Sequence, residues 1–193
     1  MTKVLLTGFE PFGKATLNPS GEIVKQISGD NIVTAILPVA YAQSAERLLA
    51  LITEHNPDVV ICLGQAEGRT QITPERIAIN LDDARLADNE GVIRNDVPII
   101  VGGPVAYEST LPIKDFVKAI NDAGIPATVS LSAGAFLCNH VFYVAQNKFV
   151  GTKVRSGFVH VPLMDEQAGE FLGLPTMPLD QMVKAVRAML EVL

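Results

Sequence analysis

The feature that most limits what this chain can become is an alternation. Short, continuously apolar, β-rich runs are separated by segments whose apolar residues recur at helical spacing. The runs predict strands at Val4 to Thr7, Ile32 to Leu37, Val59 to Leu63, Arg76 to Leu81, Ala127 to Leu131 and Phe158 to Val161. A strand that is apolar along its whole length has no face to offer water, so helices must cover both sides of the sheet it joins. The pattern predicts an α/β fold.

Between these runs, Tyr41 to His55 places Tyr41, Ala45, Leu48, Leu49 and Ile52 on one helical face, and Pro57 stops the helix. Ile113 to Ala123 reads as a helix ending at Gly124, and Leu179 to Glu191 as a C-terminal helix. Another begins at Asn18-Pro19, where Asn caps and Pro fits the first turn without losing a needed donor. From Ala66 to Leu111 only one strand is legible, and the rest reads as a long loop rich in Asp and Gly. Long structured loops in compact domains often carry function.

With 48% hydrophobic and 19% charged residues, the 193-residue chain has enough apolar side chain to build one substantial core, and residues 1–193 read as a single domain. The formal net charge of -6 excludes the basic field that nucleic acid or an anionic membrane would require. No apolar run reaches the roughly 18 residues of a membrane span, and the start of the chain is too short in apolar residues for a signal peptide. The expected setting is the cytoplasm, with Cys62 and Cys138 as free thiols.

The segment from Ala127 to His140 is an apolar strand, then a small-residue turn, then a helical pattern, which puts Cys138 in the first turn of a helix. There the unpaired N–H groups and positive dipole end favour a thiolate and can hold an oxyanion. Two readings stay open at this point, a nucleophile or a small core hydrophobe. Cys62, inside Val59-Val60-Ile61-Cys62-Leu63, reads as buried and inert.

A thiol nucleophile needs a base. His55 sits at a helix end, and His140 follows Cys138 by two residues and so points to another side of the helix. His160, near the C-terminal end of a strand where open α/β sheets form ligand crevices, is the best placed of the three. Glu75 stands at the head of an apolar strand, where it either orients the imidazole or pairs with Arg76 or water. The spacing of Asp82, Asp83, Asp88 and Glu90 fits no familiar metal site, and no zinc pattern occurs. Gly8 to Gly13 lacks a phosphate-loop signature, and its two phenylalanines read as core or as walls of an apolar pocket.

Taken together, these segments resemble the pyroglutamyl peptidase I (pyrrolidone-carboxylate peptidase) family. The resemblance rests on Thr7 to Gly13 with Asn18-Pro19-Ser20, Gly64-Gln65-Ala66 with Gly68-Arg69, Ile72 to Arg76 through Asn80, Asp83-Ala84-Arg85 with Asp88 to Gly91, Ser132-Ala133-Gly134 through Cys138-Asn139-His140, and His160-Val161-Pro162 with Glu166-Gln167. It implies a three-layer α/β/α fold with a twisted, mostly parallel mixed open sheet of the phosphorylase/hydrolase kind. It also implies a cysteine peptidase that removes N-terminal pyroglutamyl residues through a thioester, with Cys138, His160 and Glu75 as the triad and no metal or organic cofactor. Phe9, Phe12 and Phe136 would line the substrate pocket, Gln65 would hold the lactam through backbone contacts, and Arg85 would lie near the active centre. A homo-oligomer, often a tetramer, is the implied assembly. Leu86-Ala87, Leu137 and Met164-Asp165 depart from the usual pattern without removing a catalytic group. Two other readings are a nucleoside phosphorylase-like transferase, for which a phosphate-binding arginine cluster is missing, and a non-catalytic module that binds a small ligand.

Overall fold

Strands β1 (Val4–Phe9), β2 (Ile32–Leu37) and β3 (Val59–Gln65) alternate with helices α1 (Pro19–Gln26) and α2 (Tyr41–His55) in the first third of the molecule. The structure is a computed structural model and describes residues 2–193. Short strands β4 (Thr73–Pro74), β5 (Ile77–Ile79) and β6 (Ala106–Glu108) follow, then helices α3 (Ile113–Asp122) and α4 (Leu137–Lys148). Strand β7 (Arg155–Val161), the strand pair β8 (Leu163–Met164) and β9 (Thr176–Met177), and helix α5 (Leu179–Leu190) complete the chain.

The main sheet has the order β2-β1-β3-β7-β4. Its first four strands are parallel, and β4 runs antiparallel to β7. Alternation along the central strands explains the layers. Leu6, Ile61 and Val159 pack with Ile23 of α1, Phe116 of α3 and Met182 of α5. Leu5, Val60 and Phe158 point the other way and pack with Leu48 of α2 and Phe142 of α4. Every residue of β1 and β3 is buried, whereas β2 at the edge is half-exposed. The result is the expected three-layer α/β/α arrangement.

Asn18 caps α1 by accepting from the Ser20 N–H, with Pro19 at the first helical position. A Cβ on Gly8 would meet the Ser20 carbonyl oxygen at 2.2 Å, so a glycine is required for α1 to start directly on β1. The buried face of α2 is rotated from the expected one: Ser44 and Leu51 are buried with Tyr41, Leu48 and Ile52.

Two expected strands turn out differently, each for a chemical reason. Residues 127–131 do run alongside residues 72–76, through Ile72 N to Pro126 O, Thr128 N to Ile72 O, Ser130 N to Pro74 O and Arg76 N to Ser130 O. The ladder breaks in the middle because Pro74 has no N–H to donate, and only isolated bridges remain. The expected strand Arg76 to Leu81 shortens to β5, which pairs with β6 apart from the main sheet. On its other side the Asn139 side chain takes the place of a neighbouring strand by hydrogen bonding to the backbone of Ile79 and Leu81.

The C-terminal ends of β1, β3 and β7 bring Phe9, Gln65 and His160 to one edge of the sheet, where open α/β folds bind ligands.

Candidate active site

Cys138 is the second residue of α4. The chain reaches it through Ser132 to Phe136, a turn made possible by Gly134 at a φ of 76°. The Cys138 thiol lies directly over β3. A Cβ on Gly64 would come within 2.9 Å of Cys138 Sγ and 2.6 Å of the Phe158 ring. Gly64 is also the register partner of His160 on the adjoining β7, so a residue without a side chain seats the thiol beside the histidine strand. Burial and the Glu75 charge push the thiol up to about 12, while Arg69 pulls the other way. The helix start was expected to favour a thiolate, but here desolvation outweighs it. Cys62, fully buried on β3, is pushed up to about 11 by burial, as an inert thiol would be.

His160 Nδ1 stands 2.7 Å from Glu75 Oε1, and both side chains are buried. A carboxylate only accepts, so Nδ1 carries the hydrogen and Nε2 is left as a proton acceptor. Glu75 arrives there because its N–H bonds the Phe158 carbonyl and because β4 just before it pairs Thr73 with His160. Its carboxylate meets His160 and Arg69 and does not pair with Arg76. Arg69 Nη1 lies 2.7 Å from the same Oε1, contacts Thr73 Oγ1, and through Nη2 donates to the Ser132 carbonyl. Burial by itself would raise Glu75. The His160 hydrogen bond and charge, Ser130 and the Arg69 guanidinium together hold it below the usual carboxylate range, so it stays ionised. Burial lowers His160 despite the opposing pull of Glu75, so the imidazole is neutral at pH 7.

Cys138 and His160 open onto one pocket of about 300 Å³, at the small end of ligand sites. Phe9, Phe12, Gln65 and Phe136 line it as well. The Phe12 and Phe136 rings lie 6.2 Å apart, tilted at 47°, and Tyr41 backs Phe136 edge-on at 5.7 Å. Arg85 is exposed and outside this lining; the arginine at the pocket is Arg69. Sequence reasoning did not single out Arg69 as a site residue, although a cation six residues before a carboxylate at a strand head was the available signal. It also missed Gln167, buried at the end of a short 3₁₀ turn. Gln167 Oε1 accepts from the Met164 N–H and its Nε2 donates to the Leu17 carbonyl and to Gln65 Oε1, which orients the Gln65 amide. Asn18, read as a helix cap, lines the pocket too.

The acidic loop divides its side chains among different structural partners. Asp82 binds His140 and Arg94. Asp88 accepts from the N–H groups of Tyr41, Glu90 and Val92. Burial would raise Asp88, but those donors and Arg94 hold it below the usual range. Glu90 accepts from Gln43. His55 faces Glu54 at the end of α2.

The sequence model of the pyroglutamyl peptidase family matches residues 2–193. The chain is 45% identical to the pyrrolidone-carboxylate peptidase of Bacillus cytotoxicus over 100% of its own length and 93% of that protein. It is 48% identical to that of Vibrio vulnificus, over 98% of this chain and 92% of the relative. The crystal structure of Bacillus amyloliquefaciens pyroglutamyl peptidase I superposes with a TM-score of 0.95 at 44% identity, covering 98% of this chain and 95% of that one. A mutant pyrrolidone carboxyl peptidase from Pyrococcus furiosus gives a TM-score of 0.93 at 41% identity, covering 98% and 97%. The phosphorylase-like and non-catalytic readings are not favoured by these matches.

The seat beneath the thiol is open to a direct test. Gly64→Ala adds a methyl group where no space exists, and overpacking of this kind costs about 1–3 kcal/mol when the core can adjust. The expected outcome is a folded protein, checked by circular dichroism, whose Cys138 is alkylated by iodoacetamide at a rate changed on the order of tenfold, because the shifted thiol differs in access and ionisation. Alkylation at the wild-type rate would show that Gly64 does not seat the thiol.

Proposed function

We propose, from the premise that this chain belongs to the pyroglutamyl peptidase family, that Cys138, His160 and Glu75 carry its reaction. The chain is a cysteine peptidase that removes N-terminal pyroglutamyl residues. The observation that carries the residue assignment is the buried 2.7 Å contact of His160 Nδ1 with Glu75 behind a pocket that Cys138 and His160 share.

In this reading Cys138 Sγ attacks the carbonyl carbon that joins pyroglutamate to the next residue, and His160 Nε2 takes the thiol proton as the bond forms. A thiol at about 12 beside a neutral imidazole favours this general-base route over a preformed ion pair. The oxyanion is held by N–H groups at the start of α4, where Phe136 at the N-cap supplies no side-chain acceptor to occupy them. The carbon–nitrogen bond breaks as His160 returns its proton to the leaving amine. Water then attacks the thioester, His160 takes a proton from it, the carbon–sulfur bond breaks, and Cys138 recovers its proton as free pyroglutamate leaves. Glu75 stays ionised throughout, holding the tautomer and balancing the imidazolium, while Arg69 offsets its buried charge.

The pocket suits this substrate because a pyroglutamyl ring is neutral. Phe9, Phe12 and Phe136 give it apolar walls, and Gln65 supplies amide hydrogen bonding. A charged amine or carboxylate at the same position would lose its hydration against phenyl rings without gaining a partner.

Release of a chromogenic amine from its pyroglutamyl amide tests the assignment. Cys138→Ala is expected to abolish turnover and Cys62→Ala to leave it intact, with iodoacetamide inactivating the enzyme and EDTA having no effect. Full activity in Cys138→Ala, or loss confined to Cys62→Ala, would overturn it. The pH profile tests the base. Because the His160 pKa is lowered, the active neutral form persists below the ordinary histidine value of about 6.5, and kcat/KM should fall only as pH drops through that depressed value. A limb centred above pH 7 would contradict this role for His160. Cytoplasmic residence and a homotetramer belong to the same reading. Light scattering that reports a monomer would rule the assembly out.

A further inference from the structure

Of the tripeptide Cys138-Asn139-His140, only the first residue has a part in the chemistry above. Successive residues of an α-helix point about 100° apart, so the three side chains leave the first turn of α4 in different directions. Cys138 faces β3 and the pocket. Asn139, fully buried, faces β5: its Oδ1 accepts from the Ile79 N–H at 2.9 Å, and its Nδ2 donates to the Ile79 and Leu81 carbonyls at 2.9 and 3.0 Å.

His140 reaches a second buried carboxylate. Its Nδ1 stands 2.9 and 3.2 Å from the two oxygens of Asp82, and Arg94 pairs with the same carboxylate at 2.7 Å. Asp82 is itself fixed, exchanging two backbone hydrogen bonds with Val97, while the next residue donates its N–H to Ala135 just before the helix. The His140 ring meets Tyr41 edge-on at 5.5 Å, and Tyr41 meets Phe136 of the pocket wall in the same way. Arg94 closes the circuit by lying over the Tyr41 ring at 4.4 Å.

Helix starts fray when no side chain caps them, and Phe136 at the N-cap of α4 provides no such cap. Yet this turn carries the thiol. We infer that Asn139 and the His140–Asp82–Arg94 chain are positioning residues: together they clamp the first turn of α4, aim Cys138 at the substrate carbonyl and hold the Phe136 wall. The inference rests on Cys138 being the nucleophile. None of these four side chains touches the reacting atoms, so their effect is on geometry and not on proton transfer.

The test compares His140→Leu, which removes the hydrogen bond, with His140→Asn, which sets an amide donor near the place of Nδ1. Turnover of a pyroglutamyl amide is measured on proteins with native circular dichroism, well below their melting temperatures. His140→Leu is expected to lose on the order of ten- to a hundredfold in kcat/KM, the scale of a misplaced reacting group, and His140→Asn to recover most of it. The acid limb of the pH profile, set by His160, should stay where it is in both. Wild-type kinetics in folded His140→Leu, a displaced limb, or failure of His140→Asn to recover activity would each overturn the clamp. Should His140→Leu not fold, Arg94→Met at the partly exposed end of the chain decides in its place: a several-fold loss supports the clamp, and unchanged kinetics overturns it. Cys138→Ala is the control, because activity in that variant defeats the nucleophile reading, whereas its inactivity beside an unaltered His140→Leu defeats the clamp alone.

Discussion

A carboxylate removed from water persists as an ion only where partners are brought to it, and Glu75 at 0% exposure imposes that condition on everything around it. Arg69 must fold back from the loop after β3, and β4 must run against β7 so that His160 arrives from the opposite side. The same contacts order the pocket. Arg69 also holds the Ser132 carbonyl, at the head of the turn that leads into α4. One buried charge thereby ties together the pocket histidine, the cation beside it and the approach to the thiol.

Across α4 the molecule repeats this device with a different outcome. Asp82, equally buried, joins an arginine to a histidine, but His140 looks away from the pocket while His160 lines it. What separates the histidine at the pocket from the one behind it is the direction each helix residue or strand end imposes, since the residue types and distances are nearly the same. Glycines make the corresponding allowances in space. Gly8 admits the start of α1 onto β1, and Gly64 admits the thiol onto β3.

Much of the scaffold was legible because burial on both faces leaves a plain signature. β2 and α2 appear with the expected bounds, and β1, β3 and β7 differ only by extending further. Where the reading failed, a single residue decided. Pro74 interrupts the ladder with residues 127–131, and Asn139 occupies the flank of β5 that a neighbouring strand would need. The sign of the Cys138 shift failed for a related reason. A helix terminus is visible in a sequence, but the desolvation that outweighs it depends on what packs over the thiol.

By itself the sequence determined the layers, the positions of the central strands and the three residues to examine, because apolar periodicity, capping residues and ordered motifs are local properties. It named Glu75 without being able to say what it met. Only the tertiary structure decided that Glu75 meets His160 and Arg69, that Arg69 and not Arg85 lines the pocket, and that His140 faces Asp82. Each of those contacts joins segments set side by side by sheet order and loop path, and no spacing along the chain encodes the distance between side chains that only the folded core brings together.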